Sequence, residues 1–534
     1  MRTSIVVAIV IFLCACKKND NTYTSPPLDL KSDSSSINLA DAAGSTNSFS
    51  IISNINWTIS IEPATADWFT ISETSGTANE KIYVTANSDN TSSTSRTATI
   101  TLNPVGAWYV KPVTITVSQS AVYIPASSFL LWQKSLGGSD RDYGNAIVAT
   151  PDGNYLMAGY TSSTDGDVSG NKGDRDVWLV KFTSSGTIIW QKTLGGSALD
   201  WAFGLINTSD GGYALVGETL SNNGDVSGDH GNGDIWVVKL DDAGNIGWQK
   251  CLGGTNYDMG YSIAQAADGS LFVTGVTLSN DGDVGGYHGG GDVLVCKLDI
   301  NGNVVWKKAI GGSAEDVGWG ITTTPDGGCI ITGNTASIDG DITGVHGGFD
   351  LLLIRLDSGG NIQWQKAYGG SGGEQGDAVI AAGDGGYLVA GTTFSNDGDV
   401  SGAKGGLDGW IIKVDSAGVL QWQQTVGGRG DDTFHDIKMD PQGNFILAGA
   451  SGSNDKDVPS NNGNSDVWAV LLSPNGVVKG SRAFGGTEPD GGQAIIATTS
   501  GNYIIAGYTA SSNGDATGFH GGVYDAWIGK FKFQ

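Results

Sequence analysis

Three residues after an acid that recurs every 58 residues, the chain places Asn145, Phe203, Tyr261, Trp319, Asp377, His435 and Gln493. The acid itself is invariant as Asp142, Asp200, Asp258, Asp316, Glu374, Asp432 and Asp490. Two places beyond the variable position an aliphatic residue always returns: Ile147, Leu205, Ile263, Ile321, Val379, Ile437 and Ile495. A position that changes character between two that do not is where a repeated scaffold can select a ligand. Phe203, Tyr261 and Trp319 would supply an aromatic wall, and Asp377 and His435 polar groups beside it, which is the composition of a polar-ligand site. The other reading is a rim that tolerates change and buries little. Asp377 and His435 are also the acid/base pair to test for proton transfer. No nucleophile-elbow or HExxH motif accompanies them, so binding is expected rather than catalysis. A polysaccharide lyase or hydrolase is the rival reading, and a structural spacer a third.

A second acidic series falls in long Asn/Asp/Gly loops, at Asp167, Asp225, Asp283, Asp341, Asp399, Asp457 and Asp515. Carboxylates in Gly-rich loops can hold Ca²⁺, but no bidentate Glu follows at the EF-hand place. The same residues can accept hydrogen bonds from loop N–H groups in Asx turns. That reading is favoured, because a feature repeated seven times builds the scaffold rather than selects a ligand; no cofactor is expected. His230, His288, His346 and His520 share one loop position within HGG or HGN. Each belongs to a different repeat, so they read as solvated loop residues and not as one metal site. Cys251, Cys296 and Cys329 are scattered and form neither a disulfide framework nor a metal spacing. A formal charge of −26 argues against nucleic acid as a partner.

The period fixes the elements that must carry these residues. Trp132, Trp190, Trp248, Trp306, Trp364 and Trp422 are spaced by 58, each opening a WQKxLGG-like phrase, and a seventh copy starts at Gly480 without the tryptophan. A fixed period of this size means one repeated supersecondary unit. Within one unit, 201–208, 213–219, 234–240 and 246–252 read as strands separated by Gly-containing turns. Four antiparallel strands per repeat is a propeller blade. Seven blades fill 128–534. The last lacks a fourth strand, and 129–134 supplies one from the other end, closing the ring and removing exposed edges. The LGG and Asp-rich loops share one face, where binding on a rigid scaffold is expected. The repeated LGGS, DGGY and DxWxxKL phrases resemble the SBBP β-propeller family. The DxxGNxxW pattern around Gly244, Gly302 and Gly360 also resembles quinoprotein repeats, in which the tryptophan would dock between blades. Quinoproteins bind a quinone and calcium in a single pocket, and no non-repeated cluster here matches one.

Residues 31–122 carry no echo of the repeat. Alternating runs begin at Phe49, Trp57, Trp68, Lys81, Arg96 and Pro112 and read as an Ig-like β-sandwich. Trp57, the segment from Trp68 to Thr77, Asn90–Ile100 and the closing Val113–Gln119 resemble the BACON domain of Bacteroidetes carbohydrate-active proteins. That resemblance implies glycan or mucin binding. Trp57 and Trp68 read as core, whereas Trp108 and Tyr109, at a hairpin tip, could stack on a sugar or pack on a neighbour. The whole chain is therefore expected to be all-β. Residues 1–15 have an apolar run too short to span a bilayer and read as a signal peptide. The Leu13-Cys14-Ala15-Cys16 sequence resembles a lipoprotein lipobox, which marks Cys16 for lipidation, with 16–30 as a polar tether. The expectation is a monomeric lipoprotein of the cell envelope, at the outer membrane, with a glycan or extracellular protein as partner.

Overall fold

The computed structural model describes residues 28–39, 43–88, 90, 95–107, 109–119 and 129–533. The signal-like segment, Cys16 and Trp108 lie outside the described residues. The chain divides into two units, Met1–Val122 and Tyr123–Gln534. Among the described residues both are built of strands alone.

In the first unit a four-stranded and a five-stranded sheet share one hydrophobic core. Trp57, Phe49, Ile82, Ile100 and Ile115 are fully or almost fully buried in it. The Trp57 indole N–H donates to the carbonyl of Ala78 at 3.0 Å, so its polar edge is satisfied inside the core. Trp68 is also buried, with the Arg96 guanidinium over its ring at 5.0 Å. The first strand, Leu30–Ser32, starts inside the stretch read from sequence as tether, because Leu30 is apolar and buries its side chain in this core. Tyr109 is 59% exposed.

In the second unit the described residues form seven four-stranded antiparallel sheets, which repeat in the manner of a propeller. The second sheet shows the pattern: Asp200–Asn207, Tyr213–Thr219, Asp234–Leu240 and Ile246–Leu252. Its two middle strands are buried along their whole length, since sheets pack on both faces, and so read as continuous rather than alternating apolar runs. The first strand of each sheet touches the first strand of the next, and that of the seventh touches that of the first. The seventh sheet is completed by Leu130–Leu136, antiparallel to Asp525–Phe531. The strand expected at 129–134 thus runs two residues further, because Leu136 pairs with Ala526 and is buried.

The tryptophan of the period docks between sheets. The Trp248 indole lies on the turn of the next sheet and donates to the Ile300 carbonyl at 3.1 Å; Trp132, Trp306 and Trp364 do the same to Ser184, Ser358 and Ser416. The turn glycine beneath must be glycine. Gly244 has φ +76°, and a Cβ there would stand 2.7 Å from the Trp190 ring.

Candidate functional site

Each first strand has eight residues facing seven on its neighbour. The mismatch is a β-bulge at one place in every sheet, between Gly144 and Ala146, Ala202 and Gly204, Gly260 and Ser262, Gly318 and Gly320, Gly376 and Ala378, Phe434 and Asp436, and Gly492 and Ala494. The bulged residue is the variable one each time. A bulge adds an unpaired residue and re-aims its side chain. Asn145, Phe203, Tyr261, Trp319, Asp377, His435 and Gln493 therefore converge on one cavity of ≈ 440 Å³. They form the cavity wall and are half-buried, more than the reading of a tolerant rim implied.

One side of that wall is aromatic. Tyr261 and Trp319 have ring centroids 4.0 Å apart, and Phe203 meets Tyr261 edge-on at 5.5 Å. Behind them lie Met259, Val276 and Val317. The Trp319 N–H donates to Asn334 Oδ1 at 2.6 Å, which fixes the plane of its ring. The tract continues through Trp201, 5.9 Å from Phe203, to Tyr160 and Tyr143, themselves stacked at 4.9 Å. Tyr143, Tyr160, Trp201 and Arg175 line the cavity too and were missed in the sequence. Tyr143 and Trp201 occupy a position that also varies between repeats, as Tyr, Trp, Met, Val, Gln, Thr and Gly, so the same comparison of repeats could have found them.

The other side is polar. His435 donates from Nδ1 to the carbonyl of Gly492 at 2.9 Å. A carbonyl only accepts, so Nδ1 carries a proton and Nε2 is the nitrogen left free of that bond. Asn145 likewise donates to the Ala202 carbonyl at 2.8 Å. In both cases a bulge residue satisfies the backbone just before the next sheet's bulge. Asp377 Oδ1 accepts from Gln375 Nε2 at 2.7 Å, while its buried Oδ2 has no hydrogen-bond partner among the described residues. Burial pushes the Asp377 carboxyl up to about 6, opposed by the charge of His435 and the Gln375 bond.

The invariant acids do structural work. Asp200 is fully buried and accepts hydrogen bonds from Gly196 N–H at 2.7 Å, Ser221 Oγ at 2.8 Å and Thr219 Oγ1. It thereby ties the LGG loop to two strands, and its equivalents make the same bonds to the LGG loop. The loop series is held by protein groups. Asp167, Asp225, Asp399 and Asp457 accept from the N–H of Gly137, Gly195, Gly369 and Gly427, and Asp283 and Asp457 pair with Lys307 and Lys404 at 3.1 and 3.0 Å. Asp341 lies 3.9 Å from His288, and burial raises the Asp515 carboxyl to about 6. Among the described residues no group of three or more acidic, His or Cys side chains has the geometry to hold a metal ion.

The histidines are more than solvated loop residues. His230, His288, His346 and His520 bind, through Nδ1, the buried Asp234, Asp292, Asp350 and Asp525 at 2.5, 2.7, 2.8 and 2.7 Å. These aspartates, with Asp176, Asp408 and Asp466, open every third strand and form a third acidic series unrecognised in the sequence. One oxygen of each is buried without a hydrogen-bond partner among the described residues.

The sequence pattern of the viral BACON domain matches residues 27–119. Regulatory protein FlaEY of Caulobacter vibrioides is 24% identical over 440 residues, covering 74% of this chain and 44% of that protein. The chain thus spans less than half the length of that relative. Among solved structures, the Pan2 WD40 domain of Neurospora crassa aligns with a TM-score of 0.37 and 11% identity over 74% of this chain and 100% of that one. YCF48 bound to D1 peptide aligns with a TM-score of 0.37 and 9% identity over 76% and 95%.

Proposed function

We propose that this protein is a binding module, a closed seven-bladed propeller that follows a β-sandwich in the sequence and holds a glycan in the cavity formed by the seven bulged residues. One observation carries this reading: three consecutive sheets present Phe203, Tyr261 and Trp319 in ring contact, and the next two present Asp377 and His435. Aromatic faces stack on the apolar faces of sugar rings, and the facing carboxylate and imidazole accept or donate to hydroxyls. The volume of ≈ 440 Å³ falls in the range of small-ligand sites. The BACON-like match supports the same class of partner.

A glycan-array screen of the whole chain, followed by titration of Trp319→Ala, tests the proposal. Binding should weaken by about 1–3 kcal/mol, the scale of an aromatic anchor. The fold should lose only about 1–2 kcal/mol, since the ring is half-buried. Destabilisation by several kcal/mol would make Trp319 a packing residue instead. A glycan that still binds when Phe203, Tyr261 and Trp319 are each replaced by alanine would shift attention to Trp108 and Tyr109.

The proposal includes export and a lipid anchor at Cys16 in the cell envelope. Cys16→Ala should prevent incorporation of labelled fatty acid and release the chain to the soluble fraction; a labelled variant would dismiss the anchor.

A catalytic reading has one observation in its favour: Asp377 and His435 line the same cavity from adjacent sheets, where burial raises the Asp377 carboxyl. Release of reducing sugar from a bound glycan, lost in Asp377→Asn, would establish it.

A further inference from the structure

Arg175 stands alone at its place in the repeat. The equivalent residues before the third strand are Gly233, Gly291, Phe349, Leu407, Ser465 and Tyr524. Its backbone is pinned between two sheets: it bridges Leu199, and its carbonyl accepts the Asp200 N–H at 2.8 Å. Its guanidinium lies 4.5 Å from the centre of the Tyr160 ring and 4.8 Å from that of Trp201. Nε reaches Ser162 Oγ at 3.5 Å. Aromatic faces hold a guanidinium in place without consuming its N–H donors. Among the described residues Arg175 makes no ion pair with any carboxylate, although acids outnumber bases in this chain by 55 to 29. Glu218 feels its charge, but burial pushes that carboxyl up to about 7, so near neutrality it offsets Arg175 only in part. The guanidinium therefore lines the cavity as an oriented cation with its terminal N–H groups uncommitted. Asp377 lines the same cavity from the fifth sheet, whereas Arg175 comes from the first.

We propose that the cavity selects an anionic saccharide, whose sugar ring stacks on the aromatic tract and whose carboxylate or sulfate is taken by the Arg175 fork. The inference rests on the reading of the cavity as a glycan site and adds the charge and orientation of the ligand. A guanidinium binds planar or tetrahedral oxyanions through paired N–H donors. Asp377 repels the anionic group and accepts from hydroxyls, so the sugar enters with its acid toward Arg175.

The test compares three oligosaccharides of equal length and matched ring, galactose, galacturonate and sulfated galactose, by calorimetric titration of the whole protein. At least one anionic form should bind about tenfold tighter than the neutral one, the scale of one charge-assisted pair. That preference should shrink as salt is raised. Whichever anion is preferred identifies the source of the charge. In Arg175→Gln the ratio of anionic to neutral affinity should fall to about one, and Arg175→Lys should keep only part of it, because the ammonium lacks the fork. Melting of each variant reports whether it is folded. Equal affinity for all three sugars, or a preference that survives in folded Arg175→Gln, overturns the inference and leaves the glycan site standing. Binding of none of them to a protein that also binds nothing on the array overturns both.

Discussion

Removal of residues 129–136 is expected to abolish the cooperative melting of the repeat unit or to lower it by about ten degrees. The deleted strand pairs Trp132, Gln133, Lys134, Ser135 and Leu136 with Lys530, Gly529, Ile528, Trp527 and Ala526. It also carries Phe129, 1% exposed and beneath the Arg482 guanidinium at 4.1 Å, and Leu136, 5% exposed. The Trp132 N–H and Ser135 Oγ tie it to Ser184 and Thr517. Ladder hydrogen bonds at about 0.5–1.5 kcal/mol each and two buried apolar side chains at about 1.5–3 kcal/mol each give a loss on the order of 5–10 kcal/mol. That is comparable to the whole stability of a typical domain. The freed edge of Asp525–Phe531 should also drive self-association. Grafting the same segment after Gln534 through a short turn should restore melting, since the strand would again run antiparallel to its partner. A deletion variant that melts like the parent would show that this strand does not complete the seventh sheet.

The second large effect is on pH. Asp466 is fully buried, and its Oδ2 accepts the Asn462 N–H at 2.9 Å while its Oδ1 is unpartnered among the described residues. Gly485 separates it from Asp490 of the next sheet, and a Cβ on that glycine would lie 2.5 Å from an oxygen of each carboxylate. Burial first, and then the charges of Asp490 and Asp515, push the Asp466 carboxyl up to about 7. The same burial lifts Asp142, Asp176 and Asp234 to about 6. The sign follows from linkage: the folded state holds these protons more tightly than the unfolded chain, whose carboxyls titrate near 3.8. The contribution is fully present below about 3.8 and is lost as pH rises through 6 to 7. The repeat unit should therefore melt several degrees higher at pH 5 than at pH 8. Each unit of displacement corresponds to about 1.4 kcal/mol, so Asp466 alone changes stability by a few kcal/mol. Asp466→Asn should raise the melting temperature most at pH 8, less at pH 5 and little at pH 4, because the amide removes the charge and directs a donor toward Asp490. Four equivalent sites pair the buried carboxylate with a histidine ring, whereas here the position is Asn462 and only its backbone N–H reaches the acid. Melting that is flat from pH 5 to 8, or an equal shift of the variant at both, would contradict the assignment.

What the sequence determined by itself was the repeat and its strands. The 58-residue period and its glycine turns placed the strands 213–219, 234–240 and 246–252 where Tyr213–Thr219, Asp234–Leu240 and Ile246–Leu252 lie. Strand limits follow from local chemistry, because glycines at positive φ end strands and apolar runs fill them. Comparing repeats also singled out Phe203, Tyr261, Trp319, Asp377 and His435, since a scaffold position that varies is visible without any structure. The tertiary structure alone decided that these residues share a cavity. The reason is a register mismatch of eight residues against seven, a property of strand pairing that neither strand shows separately. It also decided that Arg175 rests on Tyr160 and Trp201, which come from different strands and different sheets. The third acidic series stayed hidden for a related reason: an Asp opening an apolar strand looks like a turn residue until packing buries it against the acid of the next sheet.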